Sequence, residues 1–252
     1  MQHLGKKSMR VKDLRRRIRS RIPGQVIIDG AKVLDDLIRW DIRILELYLS
    51  VDLSQSSETG AWVAAAEQVF ELDNEVLKDV APTRSPQGVL AVVEAPRWPV
   101  WPASSGVGLY LEGVQDPGNL GAIIRSAAGL GAAAVLLAPE CADPWGPAAV
   151  RGSAGAVFRI PVERDVSLSR AADRIRRHQG ELWATGSDGQ PLSEWSPSSP
   201  MLLMMGAEGQ GLSQEALVVA DGTVSIALRR HVESLNVAVA AGILLSRLSS
   251  PG

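Results

Sequence analysis

Residues 111–127 read LEGVQDPGNLGAIIRSA, and this stretch indicates the architecture of the second half of the chain. Its apolar start completes a run from Val107 to Leu111, which is typical of a buried strand. The segment from Asp116 to Asn119 is predicted to turn, because proline and glycine favour tight turns. Residues 119–130 then show helical periodicity, so a strand, a turn and a helix follow one another, as in an α/β domain.

Apolar runs of the same kind continue through the rest of the chain. They are nearly continuous rather than alternating, which predicts a parallel sheet covered on both faces. The further strands and a final long apolar helix are expected at 133–137, 157–161, 182–185, 201–205, 224–228 and 236–248. Residues 107–252 are therefore predicted to form one α/β domain with a parallel sheet.

The preceding part of the chain shows a second, smaller α/β pattern. Predicted strands and helices alternate through residues 23–95, with strands at 25–28, 42–49, 68–72 and 88–93 and helices at 31–40, 61–66 and 74–80. Asn74 is expected to cap the third of these helices. Residues 96–106 are rich in proline and serine, so they are predicted to be a linker.

The chain of 252 residues has an uneven charge distribution beneath a net charge of −2. Residues 1–22 carry nine Lys or Arg and one acid, Asp13, for a charge of +8, and the remainder sums to −10. A basic segment on an acidic body is a common feature of proteins that bind polyanions. We expect a mobile basic arm that contacts nucleic acid, the alternative being a solvated tail without such a role.

Composition excludes several classes of protein. The single cysteine, Cys141, excludes a disulfide framework and a cysteine-based zinc site, and the three histidines show no metal-ligand spacing. No metal is therefore expected. The longest apolar runs are too short to cross a bilayer, and no apolar segment of a secretory signal follows the basic N-terminus. We expect a soluble, cytoplasmic protein without a membrane partner.

Three glycine-punctuated segments carry the candidate chemistry. In the first, Arg125 is either an ordinary surface arginine or a residue that grips a phosphate with its fork of donors. The second, MMGAEGQGLS at 204–213, lacks the lysine of a P-loop and the order of a dinucleotide fingerprint, and it places Glu208 beyond a strand. The third, IALRRHVESLNVAVAAGI at 226–243, contains Ser234 and Asn236, either of which could simply cap the final helix.

Together, in this order, the three segments resemble the SpoU/TrmH branch of the knotted SPOUT RNA methyltransferases, which methylate ribose 2′-hydroxyls. The family pattern is Asp-Pro-x-Asn-x-Gly-x-x-x-Arg-x-Ala, then Gly-x-Glu-x-x-Gly, then Ser-Leu-Asn-Val-x-Val-Ala, and all three parts are present. Residues 151–161, RGSAGAVFRIP, also look like a family segment. The resemblance covers residues 107–248, while residues 23–95 are more loosely similar to the ribosomal-protein-like RNA-binding domain that often precedes this catalytic domain.

The resemblance implies a trefoil-knotted domain that binds S-adenosylmethionine and acts as a homodimer on RNA without a metal. It implies that Arg125 helps to activate the ribose hydroxyl, and it implies ribosomal RNA rather than tRNA because the extra N-terminal domain usually accompanies ribosomal targets. The implied catalytic residues are Arg125, Asn119, Glu208, Ser234 and Asn236. The implied cofactor-binding residues are Thr185, Gly206, Gly209, Ile226, Leu228 and Leu235.

One departure from the family pattern stands before the third motif. The usual Ile-Pro-Met is Ile226-Ala227-Leu228 here, followed by Arg229 and Arg230. Proline fixes φ, so its loss is expected to loosen this loop and to lower the affinity for the cofactor. The alternatives to ribosomal RNA methylation are a tRNA methyltransferase and a non-catalytic RNA-binding homologue in ribosome assembly. A nicotinamide oxidoreductase is disfavoured, and a role in antibiotic resistance stays open.

Overall fold

The computed structural model describes residues 1–83 and 85–249, which form two compact units. The first contains residues 1–97 together with 145–151, and the second contains residues 98–144 and the chain from 152 onward. Residues 145–151, predicted to belong to the second domain, therefore cluster with the first. Within the described ranges, no helix is both long and apolar enough to cross a membrane.

A five-stranded mixed sheet organises the first unit. Its strands lie in the order β1-β4-β3-β5-β2, where β5 is antiparallel to both of its neighbours and the other pairs are parallel. Tyr48 and Phe70, on neighbouring strands, pack ring against ring in its core. The elements are β1 (Gln2–Leu4), α1 (Met9–Arg19), β2 (Gln25–Asp29), α2 (Ala31–Arg39), β3 (Ile44–Ser50), α3 (Val51–Ser54), α4 (Gly60–Ala65), β4 (Ala66–Leu72), α5 (Asn74–Val80) and β5 (Val89–Glu94).

The basic segment 1–22 is ordered, so the prediction of a mobile arm is wrong. Val11 and Leu14 of α1 are buried in the core of the first unit, and β1 extends the sheet beside β4. Acidic neighbours compensate the charge, because Arg17 lies between Asp13 and Glu46. Ion pairs and apolar burial together offset the repulsion on which the prediction rested.

The second unit contains a six-stranded sheet in which every pair is parallel, as predicted. Its strand order is β11-β9-β10-β6-β7-β8. The predicted strand 157–161 is wrong, because the chain forms a 3₁₀ turn at Ala156–Phe158 after the left-handed Gly155. The elements are β6 (Val107–Leu111), α6 (Pro117–Gly129), β7 (Ala134–Leu137), β8 (Val162–Glu163), α8 (Leu168–Arg176), β9 (Glu181–Pro191), β10 (Met201–Met205), α9 (Gln214–Val219), β11 (Gly222–Ser225) and α10 (Val237–Ser249). Helix α7 (Pro147–Gly152) stands between β7 and β8 in the chain, and all of it except Gly152 clusters with the first unit.

Part of the predicted linker, residues 96–106, is core of the second unit. Trp101 and Ala103 are buried in its main apolar cluster. The Trp101 ring lies so close to β6 that a Cβ on Gly108 would be 2.2 Å from it. The Trp101 amide donates to Glu163, whose carboxylate also accepts two hydrogen bonds from Arg174, at 2.7 and 3.0 Å. The proline content correctly predicted a segment without helix or strand. It did not indicate that the side chains of Trp101 and Ala103 would be buried.

Candidate active site

The three glycine-punctuated segments all follow strands of the parallel sheet in the second unit. The first follows β6, the second follows β10 and the third follows β11. Because the strands are parallel, their carboxyl ends lie at one edge, where open α/β sheets bind ligands. The topology therefore brings together segments that are far apart in sequence.

Local capping fixes the first segment. The Asp116 side chain accepts a hydrogen bond of 2.7 Å from the amide of Asn119, and Pro117 occupies the first helical position of α6. Asn119 is thereby held in the first turn of the helix. The family-like segment 151–161 packs closely here, since a Cβ on Gly152 would lie 3.2 Å from the carbonyl oxygen of Gly118.

The second segment forms a tight loop that depends on glycine at Gly206. A Cβ there would lie 2.0 Å from the carbonyl carbon of Gly211, so no other residue fits without moving the backbone. The loop closes through a hydrogen bond of 2.9 Å from the Gly211 amide to the Ala207 carbonyl. Glu112, which follows β6, accepts a hydrogen bond of 2.8 Å from the amide of Ser213. The sequence analysis did not identify Glu112 as a residue of the site. Its position directly after β6 could have indicated this role.

A closed hydrogen-bonded cluster joins the three segments. Oε1 of Glu208 accepts from Nδ2 of Asn119 at 3.1 Å and from Nδ2 of Asn236 at 2.6 Å. The same Asn236 nitrogen donates to Oδ1 of Asn119 at 2.9 Å. The first amide of α10, that of Val237, donates to Oε1 of Glu208 at 3.2 Å. Three of the five predicted catalytic residues are therefore in direct contact.

The other two predicted catalytic residues lie outside this cluster. Arg125 is an exposed residue of α6, and Ser234 is exposed in the loop before α10. Neither makes a side-chain hydrogen bond within residues 1–83 and 85–249. Asn236 also caps α10, because its Oδ1 accepts from the amides of Ala238 and Val239. Asn236 therefore both caps α10 and belongs to the cluster.

The predicted cofactor residues fall on irregular backbone. Thr185 begins a bulge in β9, where pairing with β11 jumps from Ala184 to Gln190, and its hydroxyl donates to the Met204 carbonyl at 3.1 Å. Ile226, Leu228 and Leu235 lie beyond β11, so the predicted strand 224–228 ends early, at Ser225. In the described part of the chain, no hydrogen bond uses the amide or carbonyl of these three residues.

A pocket of about 540 Å³ opens beside the cluster. Asn119, Glu208 and Val237 contribute to its lining, which also contains the loop from Gln210 to Ser213. Its other charged groups are acidic and comprise Glu112, Asp116 and Glu140. The lining does not include Thr185, Ile226, Leu228 or Leu235, so this pocket is distinct from the predicted cofactor-binding backbone.

Cys141, near this edge, is a half-buried free cysteine. Burial and the nearby Glu140 raise the pKa of the Cys141 thiol, although backbone hydrogen bonds partly oppose them. Its sulfur lies 3.1 Å from the carbonyl oxygen of Leu111, to which the thiol donates. A neutral thiol is a poor nucleophile. Among residues 1–83 and 85–249, no three His, Cys, Asp or Glu side chains are grouped as metal ligands.

The parallel α/β sheet, with the three motifs meeting at its strand ends, agrees with the SPOUT class of methyltransferases, to which the similar solved structures belong. The chain belongs to the SpoU rRNA methylase family, whose profile matches residues 106–246. Residues 7–91 match the MRM3-like substrate binding domain. The N-terminal match begins within the segment 1–22, in agreement with the ordered helix found there.

Individual relatives agree with membership of the SpoU family. The chain is 36% identical over 185 residues to an uncharacterized tRNA/rRNA methyltransferase of Synechocystis, covering 73% of this chain and 68% of that protein. It is 30% identical over 225 residues to the 23S rRNA (guanosine(2553)-2′-O)-methyltransferase RlmP of Bacillus subtilis, covering 88% and 87%. The SpoU methyltransferase AviRb of Streptomyces viridochromogenes, solved with AdoMet, superposes with a TM-score of 0.84 at 26% identity, covering 96% of this chain and 97% of AviRb.

Proposed function

We propose that this chain transfers a methyl group from S-adenosylmethionine to a ribose 2′-hydroxyl of ribosomal RNA. The observation that carries the proposal is the closed cluster of Asn119, Glu208 and Asn236, which unites the three motifs of the family. The ribosomal target is supported by RlmP, a 23S rRNA methyltransferase that aligns with most of the chain. The first unit, which includes the match to a substrate-binding domain, is assigned to RNA. With this substrate, we also propose that the protein acts in the cytoplasm.

The residues of the third segment suit a nucleoside cofactor. Free backbone amides and carbonyls at Ile226, Leu228 and Leu235 offer the donors and acceptors that an adenine ring and a ribose require. The tight loop at Gly206 and the bulge at Thr185 are assigned to the same pocket, with Gly209 beside them. The trefoil knot of this family remains a prediction for this chain. S-adenosylmethionine supplies a methyl group on a sulfonium, which is already a good leaving group.

The protein's task is then to position the hydroxyl and to favour loss of its proton. The cluster fixes the starts of α6 and α10 relative to the loop at Glu208, so the substrate meets a preorganised surface. Arg125 is assigned to the substrate. The guanidinium would stabilise negative charge developing on the ribose oxygen, and the proton of the hydroxyl would pass to an RNA phosphate or to water. Ser234 is assigned to the same site.

We also propose a homodimer in which α10 faces a second copy. Val239 and Ile243 are one helical turn apart on this helix, and they are 52% and 38% exposed. Apolar side chains at this spacing form a stripe suited to another helix. The site cluster includes the residue before α10, so an interface on this helix would place the site close to the partner.

Incubation of the purified protein with 23S ribosomal RNA and radiolabelled S-adenosylmethionine tests the function directly. Methylated nucleotides are mapped by resistance of the adjacent linkage to alkaline hydrolysis, since a 2′-O-methyl group blocks cleavage there. Labelling at one or a few riboses is expected. Label in a parallel tRNA sample alone would replace the ribosomal target with tRNA, and no label in either RNA would favour a non-catalytic homologue.

A further inference from the structure

The loop between the two halves of the third segment contains a strained turn. The amide of Val232 donates to the carbonyl of Arg229 at 3.3 Å, and the two central residues, Arg230 and His231, both have φ of 58°. This arrangement matches a type I′ turn, whose central positions favour glycine, asparagine and aspartate. Larger side chains are strained in that region, and strain of this kind concentrates at functional sites.

The same turn carries two adjacent positive charges, those of Arg229 and Arg230. Arg229, Arg230 and His231 are exposed, and none has a side-chain hydrogen bond or ion pair among the described residues. We call residues 229–232 the basic turn. It follows Ile226–Leu228 and precedes Asn236, which is bound to Glu208. Both of its ends therefore lead to the segments assigned to the active site.

The surroundings of the active site explain why such charge is needed. The pocket beside the cluster is lined by four carboxylates, those of Glu112, Asp116, Glu140 and Glu208. A polyanion approaching this edge is repelled by them unless basic groups lie nearby. Arginine supplies that charge with a fork of donors that matches a phosphate. A glycine at position 230 would adopt the same φ without strain, so the arginine there has a cost in stability.

We infer that the basic turn binds backbone phosphates of the substrate RNA beside the ribose that is methylated. The inference rests on the proposed function, and it assigns a ligand to residues that the family motifs leave outside the site. Phosphate contacts position the RNA without reading its sequence. The basic turn should therefore contribute to affinity and to its salt dependence rather than to the chemical step.

The test uses the full chain, a 23S ribosomal RNA transcript and two paired variants. Arg229→Gln/Arg230→Gly removes the two permanent charges of the turn, and Arg170→Gln/Arg177→Gln removes two exposed arginines of α8 or its C-terminal end as a matched control. For the turn variant we expect KM for RNA to rise about tenfold, as for loss of charge-assisted hydrogen bonds. The value of kcat and the affinity for S-adenosylhomocysteine should stay within about twofold of wild type.

Two further readouts separate a charge role from a structural one. The slope of log affinity against log salt should become less steep by about 0.7 to 0.9 per lost contact in the turn variant. Arg230→Gly alone should raise the unfolding temperature, because glycine adopts positive φ without strain, and still weaken RNA binding. An unchanged KM and salt slope, or an equal loss in the α8 control, would overturn the inference. Failure of the wild-type protein to methylate RNA would instead refute the proposed function, since the binding measurements stand without methyl transfer.

Discussion

The carboxylate of Glu208 and the side-chain amide of Asn236 form a hydrogen bond of 2.6 Å across 28 residues of sequence. The same carboxylate oxygen accepts the amide of Val237, which is the first residue of α10. Glu208 therefore connects the loop after β10 to the start of the final helix, and through Asn119 to the start of α6. One side chain coordinates the geometry of all three segments.

Replacement of Glu208 by alanine should impair both stability and catalysis. It removes the acceptor of three donors, and the loss of a hydrogen bond to a charged group at a partly solvated site costs about 1 kcal/mol. We expect a lower unfolding temperature and a fall in kcat of at least about tenfold, measured by calorimetry and by methyl transfer. Glu215→Gln, on the exposed first turn of α9, should change neither quantity. Wild-type kcat in the Glu208 variant would contradict the assigned role.

Replacement of Arg125 by alanine should nearly abolish methyl transfer while leaving the affinity for S-adenosylmethionine within about twofold. The side chain is exposed on α6 and has no described partner, so its loss should not disturb the fold. Single-turnover rates and calorimetric titration with the cofactor check the two parts separately. Substantial residual activity would show that another group favours ionisation of the hydroxyl.

Two glycine-to-alanine changes should have opposite effects. At Gly206 a Cβ would lie 2.0 Å from backbone of Gly211, so the loop must open and both stability and cofactor affinity should fall. At Gly129, the last residue of α6, a Cβ meets nothing within 4 Å, and alanine should stabilise the helix by about 0.5 kcal/mol. Thermal shift with and without S-adenosylhomocysteine measures both. If the two variants had the same unfolding temperature and the same affinity for S-adenosylhomocysteine, the close approach of Gly206 to the backbone of Gly211 would not be what requires glycine there.

The double variant Val239→Glu/Ile243→Glu should convert the proposed dimer into a monomer. Charges on the proposed apolar stripe of α10 would have to be buried without partners, which costs several kcal/mol. Light scattering at micromolar concentration gives the mass. Val218→Glu, at a position of α9 that is 73% exposed, is the matched control and should leave the mass unchanged. A wild-type protein that is already monomeric would refute the proposed dimer. Dissociation by Val218→Glu alone would place the interface elsewhere than on α10.

Removal of the Asp221 carboxylate should destabilise the protein in a pH-dependent way. Burial raises the pKa of Asp221, but hydrogen bonds from Arg176 and from the Leu182 amide outweigh it and hold the pKa below its ordinary value. A depressed pKa in the folded state contributes stability that is complete above the unfolded value, about 3.9, and is lost as pH falls through the folded value.

The unfolding temperature of Asp221→Asn should accordingly lie below that of wild type at pH 7. The difference should narrow below about pH 4, as the wild-type carboxylate is protonated. Asp173→Asn, on the exposed side of α8 and without an ion pair among the described residues, is the matched carboxylate-to-amide control. A constant difference across the whole pH range would show that the ion pair with Arg176 is not its source.

Strands of continuous apolar sequence could be predicted well, because their burial is encoded locally. The predicted limits of β6 and β10 agree with the structure, and so does the parallel arrangement. The cluster of Asn119, Glu208 and Asn236 could be expected only through family motifs, since its hydrogen bonds span 89 and 117 residues. No local pattern reports such a contact.

Predictions from the sequence were wrong where charged residues or irregular backbone obscured the hydrophobic periodicity. Val11, Leu14 and Ile18 have helical spacing within α1, but the surrounding arginines and lysines favoured the reading of a mobile arm. Asn74 does not cap α5 with its side chain, because it bonds Asp52 instead and Asp73 occupies the cap position. The bulge of β9 and the burial of Trp101 depend on tertiary packing, which sequence periodicity does not record.

The separation of Asn119 from Asn236 by 117 residues has a consequence for protein synthesis. A nascent chain that already contains the first and second segments holds only part of the cluster, because the third partner has not yet been made. Glu208 can then bind Asn119 but neither Asn236 nor the start of α10. We therefore expect the site to stay incomplete on the ribosome until the final helix has emerged and docked. Chains truncated before that helix should lack a working site.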